Sequence, residues 1–61
     1  MTKSALVIDG DYDSNEFEDV RDVSVGPENG VLSVVYERKD ESIVEVFAPG
    51  HWVRVVYREG N

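Results

Sequence analysis

Cysteine is absent from this chain, which removes disulfide cross-links, thiolate metal ligands and a thiol nucleophile together. Long apolar runs are missing as well. The longest near the N-terminus is Ala5-Leu6-Val7-Ile8, far short of the roughly 20 residues that span a bilayer. It is also shorter than the about 7–15 residues in the apolar part of a signal peptide. The expectation is a soluble, cytoplasmic protein that makes no use of a membrane. Basic side chains are scarce, 6 against 13 acids, for a formal charge of −7. Direct binding to nucleic acid needs a basic footprint and is disfavoured, as is an anionic membrane surface. Partners of the opposite character remain: a basic protein surface, cations, or further copies of this chain. The same excess charge also serves plain solubility.

Helical patterning is poor. No window carries an i, i+3, i+4, i+7 apolar stripe over three turns. The best candidate is Ser14 to Asp19, where Ser14 caps at most one short turn carrying Glu16, Phe17 and Glu18.

What the chain does have is valine, its commonest residue, in short runs separated by turn formers. Its 61 residues read as a single domain, 1–61. A chain of this size buries only about 60% of its unfolded surface. Residues 1–8 form an N-terminal strand, 9–19 an acidic loop or short helical turn, and 20–58 a β meander. Val20 to Val25 starts the meander with Arg21, Val23 and Val25 on one face. Gly26-Pro27-Glu28-Asn29-Gly30 turns the chain, its Asn-Gly ending suited to positive φ. Val31 to Glu37 follows, with Leu32, Val34 and Tyr36 along one face. After the charged turn Arg38 to Glu41, the run Ser42 to Ala48 alternates Val44, Val46 and Ala48 with Ile43, Glu45 and Phe47. Pro49-Gly50 reverses the chain into His51 to Arg58.

Such alternation means one buried and one wet face. The fold class is therefore all-β, a small antiparallel meander of four to five strands. With no helix to cover it, the sheet twists strongly or curls into a small SH3-like barrel, or else packs on a second copy.

Catalysis finds no support in the residues. His51 is the only histidine, and Ser4, Ser14, Ser24, Ser33 and Ser42 lack a nucleophile motif. No phosphate-binding glycine loop is present, and a chain this small has little room for a cleft of roughly 300 Å³. The expectation is a protein that is not an enzyme and uses no cofactor.

Charge points elsewhere. Asp9, Asp11, Asp13, Glu16, Glu18, Asp19 and Asp22 are held against the single base Arg21 between positions 9 and 22. Asp11, Asp13, Asn15 and Asp22 imitate the 1-3-5-12 spacing of a calcium-binding EF-hand loop. Glu16 nevertheless stands where that loop needs glycine, and no helices flank it. No metal ligand is assigned, although a weak divalent-cation module is one alternative function.

The leading expectation is a protein-interaction module, an inhibitor or accessory subunit. It would bind a basic protein surface through Asp11, Asp13, Glu16, Glu18 and Asp19, and mimicry of a nucleic acid backbone is one form this takes. A second contact stripe is expected on the last strand. If Val53, Val55 and Tyr57 face inward, Trp52, Arg54 and Arg58 face outward, and Trp and Arg anchor many interfaces. The competing expectation has Trp52 covering a thin core and the arginines pairing with Glu37 or Glu45. Tyr12 and Phe17 are expected to pin the acidic segment to the sheet. A further alternative function is a self-assembling homo-oligomer, a homodimer in its simplest form. Ser4 to Ile8 is then the expected free edge for strand addition.

Overall fold

The computed structural model describes residues 3–60. Six strands follow one another: β1 (Lys3–Asp9), β2 (Ser14–Phe17), β3 (Val20–Val25), β4 (Leu32–Arg38), β5 (Glu41–Phe47) and β6 (Trp52–Glu59). There is no helix among the described residues, and so none long and apolar enough to cross a membrane. Positions 1 and 2 of the expected N-terminal strand lie outside the described residues.

All pairing is antiparallel, in two three-stranded sheets of order β2-β1-β6 and β3-β4-β5. Only Glu18 and Asp19 separate β2 from β3, so these two strands are halves of one bent path that carries the chain from sheet to sheet. Among the described residues the strands number six rather than four to five, and the all-β, antiparallel reading of the sequence, consistent with a small barrel, holds. Two of its details do not. Ser14–Phe17 is a strand rather than a helical turn, because Asn15 and Phe17 face the interior opposite Val7 and Ala5. The meander also ends at β5. β6 crosses over to pair with β1 from Lys3↔Glu59 to Asp9↔Trp52, which makes β1 the central strand of its sheet and not a free edge.

The core is small and lies between the sheets. Ala5, Val7, Val20, Leu32 and Val34 are buried, with Phe17, Val23, Tyr36, Phe47, Trp52 and Val55 packed around them. The alternation on β4 therefore reads as expected. On β5, Ile43, Glu45 and Phe47 share the inner face with Tyr36, Val34 and Leu32, their register partners. Val44 and Val46 point out to solvent.

Two β-bulges change the parity of the alternation elsewhere. Val20 pairs with Tyr36 and Asp22 with Val35, leaving Arg21 as the extra residue. Val20 is thus inside and Arg21 outside, the reverse of the strict period-two expectation. In β6, Ile8 pairs with Arg54 and Asp9 with Trp52, so Val53 is extra. A bulge places two residues opposite one and shifts every later side chain to the other face. Trp52 accordingly joins Val55 on the inner side, and Val53 is exposed.

The turns match their residues only in part, since four residues other than glycine take positive φ: Tyr12, Asp19, Lys39 and Asp40. Gly30 has φ +69° and its N–H donates to the Gly26 carbonyl, while Asn29 Oδ1 accepts from Val31 N. Lys39 and Asp40, both at positive φ (51° and 66°), make the two-residue hairpin between β4 and β5. That is the type I′ geometry that Asn-Gly fits best. Here it is imposed on two side-chain-bearing residues by the flanking ladder.

Candidate functional site

The acidic segment divides into two groups with different roles. The first is the β1–β2 turn. Asp9 Oδ1 accepts from the backbone N–H of Asp11 (2.9 Å) and of Asp13 (3.0 Å), and Asp9 Oδ2 accepts from Asn15 Nδ2 (3.0 Å). Asn15 Nδ2 also reaches the carbonyls of Val7 and Asp13, both at 3.3 Å. An Asp that bonds the backbone two residues on builds a turn out of its own side chain. Tyr12 takes the left-handed conformation this loop demands, φ 64°, and its ring is exposed rather than pinned to the sheet. Asp11 and Asp13 are exposed on this turn. Beside it, Gly10 N donates to the carbonyl of His51 (3.0 Å), so His51 contributes through its backbone.

The apparent EF-hand spacing dissolves in this geometry. Asn15 faces the interior, and Asp22 lies on the other sheet. No three His, Asp or Glu side chains among the described residues converge as metal ligands.

Hydrogen bonds from Asn15, then from the Asp13 N–H, and lastly from the Asp11 N–H hold the Asp9 carboxyl below its ordinary value of 3.8, against an opposing effect of burial. Ionised Asp9 is therefore favoured by folding. Its contribution is complete above the unfolded carboxylate pKa and is lost as pH falls through the lower folded value. Asp9→Asn is expected to lower the thermal midpoint at neutral pH, because an amide donor would then face Asn15 Nδ2. The gap from wild type should narrow progressively as the pH falls below the ordinary carboxylate value of 3.8, in melts followed by circular dichroism. A gap that stays constant with pH would remove Asp9 ionisation from the account.

The second acidic group gathers at the β2–β3 joint. Glu16, Glu18 and Asp19 line one side of an open groove of about 600 Å³. Phe17 and Tyr36 form its floor, with ring centroids 5.1 Å apart and planes inclined by 48°. Phe17 also meets Phe47 edge-on, with centroids 6.3 Å apart. Glu37, Arg38 and Lys39 make the other wall. Asp19 adopts φ 54°, and its carbonyl accepts from Glu37 N at 3.1 Å, tying the joint to β4. Glu37 is engaged by Arg21 (2.8 Å), which strengthens the charged form of the guanidinium. That contact corrects the expectation that Glu37 pairs with Arg54 or Arg58.

Of the expected contact residues, Glu18 and Asp19 share the groove, Glu16 borders it from a position on the outer face of β2, and Asp11 and Asp13 sit apart at the far end of β2. Arg54 and Arg58 lie on the outer face of the first sheet, opposite Ile8 and Ser4. Trp52 does not share that face. It packs on the core, and its Nε1–H donates to the Gly30 carbonyl (2.9 Å), which a one-residue bulge made invisible to period-two reading. The aromatic floor was hidden for another reason. Phe17 and Tyr36 meet only because the bent β2–β3 path folds one sheet over the other.

Comparison with protein-family models, with curated proteins and with solved structures finds no match.

Proposed function

We propose that the protein is a non-enzymatic interaction module, an inhibitor or accessory subunit, whose groove at the β2–β3 joint receives a basic side chain of a protein partner. The observation that supports this reading is that Glu18 and Asp19 share one open groove with the half-buried rings of Phe17 and Tyr36. A lysine or arginine has an aliphatic stem that lies on rings and a cationic head that carboxylates and ring faces both attract. The groove offers both at once. Glu37 is engaged by Arg21, whereas Glu18 and Asp19 have no ion pair among the described residues, so these two are the acids available to a cation. Because the acids of the β1–β2 turn lie apart from it, local capture of a basic residue is better supported than imitation of a continuous phosphate backbone. A cytoplasmic setting belongs to this reading, supported by the lack of cysteine.

A fluorescein-labelled oligo-arginine peptide tests it. Glu18→Gln with Asp19→Asn is expected to weaken binding by about tenfold or more at low salt, since desolvated charge contacts carry much of such affinity. Asn tolerates the left-handed backbone at position 19, so the joint keeps its shape. Equal affinity for the variant and wild type would remove the groove as the binding site.

A further inference from the structure

The outer face of the first sheet is built differently from the rest of this acidic protein. Residues directly opposite across the ladders share a face, which places Glu16, Leu6 and Val56 in one row, and Ser14, Ile8 and Arg54 in the next. Ser4 and Arg58 form a third row. Leu6, Ile8 and Val56 lie outside the core cluster and are only half-buried. They make an apolar strip along the centre, with exposed Glu16 on the β2 edge and exposed Arg54 and Arg58 on the β6 edge. The ion pairs among the described residues are Lys3–Glu59 and Arg21–Glu37, so neither arginine of this face nor Glu16 is paired with another described residue. A chain of net charge −7 thus carries a face with two bases and one acid.

We propose that this face binds a second copy of the chain, as a two-fold face-to-face dimer. The charge layout selects that occupant. Rotation by 180° about an axis parallel to β1 and lying in the interface sets the β2 edge of one copy over the β6 edge of the other. Glu16 then lies opposite its partner's Val56 position, midway between the two arginines, which are about 13 Å apart along a strand. Each carboxylate is within reach of a guanidinium across sheets packed about 10 Å apart. Both edges are satisfied twice by the same operation, as an isologous interface requires. A foreign polyanion would match the arginines and be repelled by the remaining acids. The face is small. Its strands have four, seven and eight residues, so it spans at most roughly 15 by 23 Å, below the ~800 Å² per partner of a standard interface. A dissociation constant in the micromolar range is therefore expected.

Sedimentation equilibrium at low salt, from about 10 μM to 1 mM protein, tests this. Wild type should dimerise reversibly. Glu16→Arg makes the face wholly basic, and Arg54→Glu with Arg58→Glu makes it wholly acidic. Each variant alone should dissociate at least about tenfold more readily. An equimolar mixture of the two should associate as a heterodimer at least as readily as wild type, which also shows that both are folded. A wild type that stays monomeric at about 1 mM would overturn the proposal, as would a dimer indifferent to these charges. The groove test uses positions 18 and 19, so the two readings can fail separately.

Discussion

Trp52→Ala is expected to leave most molecules unfolded at room temperature. The indole packs on the core from the first residue of β6, and its N–H donates to the Gly30 carbonyl in the turn before β4. It therefore joins the two sheets. Truncating a large aromatic in a core costs about 3–5 kcal/mol, and one core of this size supplies only about 3–5 kcal/mol in total. Trp52→Phe separates the two contributions. It keeps most of the packing but leaves the Gly30 carbonyl without its donor, a loss of about 1–3 kcal/mol if that group stays dry. Urea titrations followed by circular dichroism measure both. A Trp52→Ala protein within about 0.5 kcal/mol of wild type would behave as a surface variant, and would return this residue to a role in partner contact.

Leu32→Ala should be nearly as damaging, for a different reason. Leu32 is fully buried on the central strand of its sheet, facing Val25 on one side and Phe47 on the other. Truncation leaves a cavity between Val25 and Phe47, so the loss falls within the ~2–5 kcal/mol found for buried leucines. The informative comparison is Val44→Ala on the neighbouring strand. Val44 is 58% exposed, and its truncation should change stability by less than about 0.5 kcal/mol. Similar losses for the two variants, read from denaturation midpoints at equal slope, would contradict the assignment of inner and outer faces.

These two residues also mark how much of the structure was open to inspection of the sequence. Leu32, Val34 and Tyr36 alternate without interruption, and so do Ile43, Glu45 and Phe47, because a half-buried strand imposes a period of two on its residues. The stripe that set Trp52 beside Arg54 and Arg58 fails because that period breaks at Val53, leaving the competing expectation of Trp52 over the core. Arg21 was misplaced because the period breaks in β3. A bulge leaves no compositional mark at either position. The partners of β1 were hidden as well, since pairing Lys3 with Glu59 depends on both chain ends returning to one sheet. Composition alone separated the acidic segment from the rest. Only the bend at Glu18 and Asp19 divided it into a turn held by Asp9 and a groove floored by Phe17 and Tyr36.

Glu45 carries a consequence for life at high concentration. It points inward from β5, an edge strand, and stands opposite buried Val34 between Ile43 and Phe47. Sitting at the margin of the sheet, its carboxylate keeps access to water along the open side. A strand added to that edge, from another molecule or a growing fibril, would close the access and bury a charge with no cation beside it. Edge strands commonly resist aggregation through such an inward charge. Here one carboxylate guards the edge of a strand whose outer face exposes Val44 and Val46.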